Sequence, residues 1–167
     1  MTGIEQFEGR REIASPDDME ALGRELGAVL TAGDLIVLTG PLGAGKTTLT
    51  RGIGAGLGIR GPVQSPTFVI ARTHPSEVGG PPLVHVDAYR LGSPAELDDL
   101  GLDPDNAVTI VEWGRDMVDG LVDTWWELEI ERGWSGTGVD NACGTTGHYA
   151  AELEDAAPRI VTVTRRP

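Results

Sequence analysis

The sequence predicts an α/β fold with a mixed, mostly parallel sheet that is flanked by helices and carries a C-terminal antiparallel hairpin. Three observations predict it. Short apolar runs of the kind that is buried on both faces alternate with helix patterns, as in parallel sheets. One such run leads through a glycine-rich turn into a helix pattern. Segments 125–132 and 159–166 alternate apolar and polar residues, as strands with one solvated face do.

The first half of the chain contains two predicted helices and the strand between them. The first helix begins at Ser15-Pro16, because a capping serine there precedes a proline at the first helical position. The apolar run "DLIVLT" (34–39) is predicted to be a buried strand. A second helix is predicted from Thr47 to about Leu57, although glycines at 52, 54 and 56 weaken it. We therefore expect packing to hold this helix.

The second half of the chain is predicted to be mainly β. Strands are expected at 67–73, 82–89 and 107–113, with a capped helix in "SPAELDDLGLDPD" between the last two. Segments 125–132 and 159–166 are expected to form the hairpin. Residues 133–157 are rich in Gly, Thr, Asp and Ala without a period, which predicts a flexible insertion, in part disordered. We expect one domain over 1–167.

Charge and cysteine content restrict the classes of function. The chain has 26 Asp plus Glu against 13 Lys plus Arg, a formal net charge of -13. Such a surface repels nucleic acid, so another component would have to hold any RNA that the protein serves. Cys143 is the single cysteine, and no Cys and His pattern suits zinc. Without a signal peptide or a membrane-length apolar run, we expect a cytoplasmic protein with no membrane contact.

Residues 40–47, "GPLGAGKT", match the phosphate-binding pattern G-x-x-x-x-G-K-[ST] between a predicted strand and a predicted helix. The glycines let backbone amides point at one anion, and the helix N-terminus adds a favourable dipole. Lys46, the only lysine of the chain, would reach the β and γ phosphates, while Thr47 would ligate Mg²⁺. The other loop residues expected to contact nucleotide are Leu42, Gly43, Ala44, Gly45 and Thr48. The motif predicts a P-loop NTPase-like fold.

Two acidic residues end apolar runs that are predicted to be neighbouring strands. "LVHVD" ends in Asp87 and "VTIVE" ends in Glu112. Ligands bind at the carboxyl edge of parallel sheets, and a P-loop site needs a carboxylate there to hold Mg²⁺ directly or through water. Both acids are candidates for this role. For each, a solvated strand end or a helix cap remains the alternative.

Three further residues have two interpretations each. Thr67, in "SPT", is placed either beside the γ phosphate as a switch residue or in an ordinary turn. Trp113 either covers the nucleotide or packs the end of the sheet. His85 alternates with Val84 and Val86, which favours a core or partner-facing histidine over a catalytic one.

Some classes of nucleotide-binding protein are excluded by missing motifs. The [NT]-K-x-D motif of guanine-specific GTPases needs a lysine outside the phosphate loop, and the chain has none. The signature of transporter ATPases is also absent. A small-molecule kinase remains an alternative, although its usual arginine-rich lid is not found in the scattered arginines of this chain. A nucleotide-sensing module without turnover is the other alternative.

Five blocks in order resemble the TsaE family of small bacterial P-loop ATPases: "GPLGAGKTTLTRG", "VQSPTFVI", "LVHVDAYRL", "ELDDLGLD" and "VTIVEWG". They lie within about residues 33–114, and the region after 133 adds nothing to the resemblance. Pro41 departs from the family, where an acid is commoner, but it occupies a variable position of the loop pattern.

The resemblance implies ATP and Mg²⁺ as cofactors, with Lys46 and Thr47 at the phosphates and the metal. It implies that Glu112 is a second acid on the magnesium side, that Asp87 is required for hydrolysis, and that Thr67 lies in a switch-like loop. The implied partners are the TsaB and TsaD proteins, which form a complex in which TsaD transfers a threonylcarbamoyl group to the adenosine beside the tRNA anticodon. The ATPase would be slow alone, would be stimulated by these partners, and would meet tRNA only through them.

Overall fold

The computed structural model describes residues 3–61, 63, 70–133 and 157–167 of the chain. Within these ranges one 7-stranded sheet has the spatial order β1-β7-β6-β2-β5-β4-β3. The strands are β1 (Gly9–Ile13), β2 (Leu35–Thr39), β3 (Ala71–His74), β4 (Leu83–Asp87), β5 (Val108–Glu112), β6 (Trp125–Arg132) and β7 (Arg159–Arg166). The α-helices are α1 (Pro16–Val29), α2 (Lys46–Gly56) and α3 (Pro94–Asp98), and short 3-10 helices lie at Ile4–Phe7, Ala88–Arg90 and Pro104–Asn106.

The predicted mixed α/β fold is confirmed. The central strand β2 pairs in parallel with β5 and β6, and β4 pairs in parallel with β5. The outer pairs are antiparallel: β3 with β4, β6 with β7 and β1 with β7. The predicted hairpin between 125–132 and 159–166 is the β6–β7 pair.

Strand β1 was not predicted by the sequence patterns. Its residues, "GRREI", have the burial of an edge strand, with only Ile13 buried. A strand that buries one residue produces no alternation of apolar and polar positions, which is the signal that predicts strands. Charged residues suit this position because they discourage pairing with other chains at the open edge of a sheet.

The predicted helix starts are confirmed by capping contacts. The Ser15 side chain accepts a hydrogen bond from the Asp18 amide at 3.1 Å, and Ser93 accepts one from the Glu96 amide at 3.4 Å. The predicted strand over 67–73 appears in its described part as β3, which begins at Ala71. Residues 64–69 and 134–156, the latter covering most of the predicted insertion, lie outside the described residues.

The core lies on both faces of the sheet. Helices α1 and α2 cover one face, where Leu26, Leu49 and Ile53 are completely buried with Ile36 and Leu38 of β2. On the other face, Leu97 of α3 joins a second buried cluster. The inner strands are therefore apolar on both faces, as their sequences predict. No helix in the described part of the chain is long and apolar enough to cross a membrane.

The glycines of α2 allow it to approach α1 at backbone distance. A Cβ atom at Gly52 would lie 2.3 Å from the Glu20 carbonyl oxygen, and one at Gly56 would lie 2.3 Å from that of Arg24. From the other side, a Cβ atom at Gly23 would lie 2.4 Å from the Leu49 carbonyl oxygen. These distances are too short for any side chain, so the glycines that weaken α2 as an isolated helix are required by its packing.

Gly52→Ala is expected to lower the free energy of unfolding by about 1–3 kcal/mol, because the added methyl group forces the two helices apart. Helix propensity alone predicts the opposite, a gain of about 1 kcal/mol. Urea denaturation of the variant measures the sign. Ala55→Gly, at an exposed position of the same helix, is the matched control and should show only the propensity effect. A stabilised Gly52→Ala protein would contradict the backbone contact.

Glu127 of β6 joins the loop after β5 to the last strand. Its side chain is 2% exposed and accepts hydrogen bonds from Arg115, in the loop, and from Arg166 of β7, the latter at 2.8 Å. Burial raises the pKa of Glu127, but the hydrogen bonds from Arg166 and Arg115 outweigh burial and hold the pKa below its usual value. Glu127 is thus ionised and paired in the folded protein.

Since the pKa of Glu127 is lowered on folding, its stabilising contribution is present above the unfolded pKa of about 4.3 and is lost as the pH falls through the folded pKa. Glu127→Gln should therefore lower the free energy of unfolding by about 1–3 kcal/mol at neutral pH. This range is smaller than for a fully buried ion pair, because both arginines are half exposed. The difference in free energy of unfolding between this variant and the wild type should become smaller as the pH is lowered. Denaturation at pH 7 and at successively lower pH measures it. Glu131→Gln, exposed on the same strand, should change little, and an equal effect of the two substitutions would contradict the pairing.

Candidate functional site

The loop between β2 and α2 has the backbone that a phosphate site needs. Strand β2 is buried up to Leu38, and α2 begins at Lys46. Between them, Gly43 and Gly45 have φ angles of 75° and 111°, a left-handed conformation that glycine adopts at little cost. The turn thus brings the N-terminal amides of α2 to the carboxyl edge of the sheet, where they can donate to an anion.

The side chain of Lys46 lies inside this loop. Its Nζ donates to the carbonyl oxygens of Gly40 at 2.7 Å and Pro41 at 3.0 Å, and the residue is 7% exposed. Burial lowers the pKa of Lys46, while the charges of Glu112 and then Asp87 oppose the decrease. The ammonium is poorly solvated and shares carbonyl acceptors, so an anion in the loop would stabilise it.

The predicted acids lie opposite each other on neighbouring parallel strands. Asp87 of β4 is in register with Glu112 of β5 at the carboxyl ends of both strands. Glu112 is also in register with Leu38 of β2, the strand that leads into the loop of Lys46, so all three predicted catalytic residues lie at one edge of the sheet. Thr47 follows Lys46 in the first turn of α2 and is exposed.

One oxygen of each acid is held by an internal partner. The Asp87 Oδ1 atom accepts a hydrogen bond from the Tyr89 amide at 3.0 Å. The Glu112 Oε1 atom lies 2.9 Å from Nε2 of His85, which is completely buried. Of the two positions expected for His85, in the core or facing a partner, the structure shows the core, and the contact with Glu112 was not expected. The contact follows from strand register, since His85 lies opposite Ile110 and on the same face as Glu112.

Trp113 covers the lysine. Its ring centroid lies 4.6 Å from the Lys46 Nζ atom, a cation–π distance. The ring also meets Tyr89 edge to face, with centroids 5.6 Å apart. Trp113 has a φ of 60°, a left-handed conformation that is strained for a large side chain. Of the two interpretations of this residue, the structure supports the one in which it covers the site.

The remaining residues predicted to contact nucleotide differ in their exposure and position. Leu42 is 86% exposed at the tip of the loop, and Arg132 of β6 donates to its carbonyl oxygen at 3.1 Å. Ala44 is buried beneath the loop, and Thr48 lies in the first turn of α2. Thr67 lies outside the described residues, so its switch role stays a prediction.

A pocket lies beside the loop, and no sequence pattern predicts it. It is lined by Gly43, Ala44, Gly45 and Thr48 from the loop and α2, and by Ile13, Ser15, Pro16, Met19, Ala157 and Arg159. These last residues come from the end of β1, the start of α1 and the start of β7. No local pattern marks them, because only the folded sheet brings the two ends of the chain to the loop.

The residues present fit a magnesium ion held jointly with phosphates. Thr47 offers a hydroxyl, and Glu112 and Asp87 offer carboxylates, which are the hard oxygen ligands that Mg²⁺ prefers. The described residues contain no group of three or more His, Cys, Asp or Glu that could hold a metal ion unaided. This donor set suits an ion that takes its other ligands from substrate phosphates and water.

The family model and the similar proteins found by comparison carry the same name. The family model "Threonylcarbamoyl adenosine biosynthesis protein TsaE" matches residues 13–137. The tRNA threonylcarbamoyladenosine biosynthesis protein TsaE of Streptomyces coelicolor is 59% identical over 117 residues, 68% of this chain and 79% of that protein. The protein of the same name from Mycobacterium tuberculosis is 44% identical over 133 residues, 74% of this chain and 79% of that protein.

A solved structure has a fold similar to that of this chain. The crystal structure of YdiB from Bacillus subtilis aligns with a TM-score of 0.61 and 28% identity, covering 92% of this chain and 82% of YdiB. The matched region of the family model includes the phosphate loop and both acids. This chain therefore belongs to the TsaE family of threonylcarbamoyl adenosine biosynthesis proteins.

Proposed function

We propose that this protein binds and hydrolyses ATP, and that its ATPase supports threonylcarbamoyl transfer to tRNA by a complex of TsaB and TsaD. Its membership of the TsaE family supports the pathway. The observation that carries the ATPase proposal is the convergence of Lys46, Asp87 and Glu112 at the N-terminus of α2. A buried ammonium beside two carboxylates is the arrangement that phosphoryl transfer uses.

In this proposal the phosphates of ATP replace the internal partners of Lys46. The ammonium leaves the carbonyl oxygens of Gly40 and Pro41, and its charge is neutralised more fully by the β and γ phosphates. The amides of the loop and of the first turn of α2 donate to the same oxygens. The nucleoside occupies the neighbouring pocket, where Ile13 and Met19 offer apolar surface and Ser15 and Arg159 offer polar groups.

The two acids would take different roles. Thr47 and Glu112 would hold Mg²⁺, which neutralises charge on the phosphates when it is bound. We assign Asp87 to hydrolysis, because it stands beside Glu112 at the strand ends and can accept a hydrogen bond from the attacking water. Trp113 lies over Lys46 and would exclude water from the phosphates.

Two observations support a role for TsaB and TsaD, one in the rate of hydrolysis and one in the contact with tRNA. Arg115, on the loop that follows Trp113, pairs with Glu127 and Glu129, so its charge is committed to the sheet. A cation or a closed shell supplied by TsaB and TsaD would raise a slow intrinsic rate. The net charge of -13 also disfavours direct tRNA binding and supports contact through these partners.

Nucleotide binding should change the fluorescence of Trp113, because the ring loses its contact with Lys46 when the lysine turns to phosphate. We expect titration with ATP to change the tryptophan emission of the wild type and to change that of Trp113→Phe much less. Calorimetry should show that Trp113→Phe still binds ATP. An equal emission change in both proteins would place the responding tryptophan elsewhere.

Steady-state ATP hydrolysis tests the proposal as a whole. The rate should be low for the protein alone and should rise when TsaB and TsaD from the same source are added. Lys46→Ala should weaken ATP binding about 10- to 100-fold, as expected when a hydrogen-bonded charge is removed. Asp87→Ala should keep ATP affinity but lower the stimulated rate about 100-fold or more, as for loss of a group that handles the proton.

Asp105→Ala is the matched control, since Asp105 is an exposed acid before β5, at the opposite end of the sheet from Glu112. It should leave the rate unchanged. ATP affinity retained in Lys46→Ala would refute the site. ATP binding without any effect of TsaB and TsaD would refute the role, and phosphorylation of a metabolite would then support a small-molecule kinase.

A further inference from the structure

We propose that His85 is a positioning residue that orients the Glu112 carboxylate for a magnesium–nucleotide complex. The inference rests on the proposed function and extends it to a residue that touches neither nucleotide nor metal. The geometry that carries it is the contact between His85 Nε2 and Glu112 Oε1 in the interior of the sheet.

The contact is rigid and enclosed. The two side chains are 1% and 9% exposed, and their nitrogen and oxygen atoms lie 2.9 Å apart. Both residues are on adjacent parallel strands, and β5 is further enclosed by β2 on its other side. Because both side chains are enclosed, the hydrogen bond at Oε1 restricts the conformations that the Glu112 side chain can adopt.

Among the described residues, the side-chain hydrogen bond of His85 is made with Glu112. Its second ring nitrogen, Nδ1, is buried and has no hydrogen-bond partner in the part of the chain that the structure describes. An unpartnered buried polar atom costs free energy, which an apolar residue would avoid. The neighbouring positions on this face, Leu83 and Ile110, are in fact apolar and completely buried. Core packing alone therefore does not account for a histidine here, whereas holding Glu112 does.

The consequence concerns Lys46. Of the two carboxylates that act on the lysine, Glu112 has the stronger electrostatic effect, so a free Glu112 side chain would be drawn towards the ammonium and would compete with phosphate. The imidazole holds Oε1 in the sheet and limits that movement. Because the contact uses Oε1, Oε2 can coordinate Mg²⁺ or accept a hydrogen bond from a water molecule bound to Mg²⁺. Donors behind a metal-side ligand change metal affinity about 10- to 100-fold when they are removed.

The test measures the Mg²⁺ dependence of nucleotide binding, using fluorescent N-methylanthraniloyl-ADP with EDTA and then with increasing Mg²⁺. His85→Asn and His85→Gln form the informative pair, because an asparagine amide reproduces the Nδ1 position and a glutamine amide reproduces the Nε2 position. His85→Asn should raise the half-saturating Mg²⁺ concentration about 10- to 100-fold. His85→Gln should restore a value close to wild type, and both should bind nucleotide in EDTA as wild type does.

Thr109→Val is the matched structural control. Thr109 is a completely buried residue of β5 whose hydroxyl has no partner within residues 3–61, 63, 70–133 and 157–167, and it lies on the opposite face from Glu112. Its substitution should leave the Mg²⁺ dependence unchanged. Thermal unfolding of every variant identifies loss of fold. A double-mutant cycle should show that Glu112→Gln removes the difference between His85→Asn and wild type.

The outcomes separate the inference from the proposed function. If wild type binds nucleotide with Mg²⁺ dependence and His85→Asn keeps that dependence, the inference is wrong and the proposed function stands. Equal impairment of His85→Asn and His85→Gln also overturns it, since the position of the donor would then not matter. If wild type shows no Mg²⁺ dependence at all, both the metal role of Glu112 and the inference are wrong.

Discussion

The ammonium of Lys46 lies where water is scarce, between two backbone carbonyl oxygens and the ring of Trp113. Partial desolvation of a charge is unfavourable, and the protein offsets it with the carboxylates of Glu112 and Asp87. The same arrangement makes the loop receptive to an anion with several negative oxygens, which compensates the lysine better than carbonyl dipoles do. The ends of β4 and β5, the turn before α2 and the ring of Trp113 together form the surroundings of this one charge.

The position of the lysine depends in turn on a backbone contact between two helices outside the site. Helix α2 starts at Lys46, and its axis is set by the close approach of Gly52 and Gly56 to the backbone of α1. A larger separation would move the first turn of α2 relative to the strand ends that carry the acids. Backbone contact between helices thus determines the distance between a cation and two anions.

The features that sequence predicted are those whose cause is local. Lys46 and Thr47 stand in a contiguous motif, and Asp87 and Glu112 end apolar runs that have the composition of buried strands. Ser15 and Ser93 likewise show their capping role within three residues. The hairpin of β6 and β7 was also predictable, because period-two alternation is strong in both segments.

The features that sequence did not predict depend on pairing between distant segments. The register of β4 and β5 creates the contact of His85 with Glu112, and no spacing along the chain reveals it. The left-handed backbone of Trp113 arises where the chain leaves a buried strand, at a residue type that disfavours it. The pocket beside the loop needs β1 and β7 together, and β1 has too few buried residues to be recognised.

The pairing of β1 with β7 also affects how the chain folds. The strand nearest the N-terminus finds its partner in the last described strand, at Gly9 with Val163 and Ile13 with Arg159. Contacts of such sequence separation form late, because closing a long loop costs entropy before the contact is gained. During synthesis on the ribosome, β1 has no partner until β7 has emerged, whereas the P-loop and its flanking elements are made before β7. The side of the pocket formed by β1 and β7 is therefore expected to be completed last, after the phosphate loop has its strand and helix.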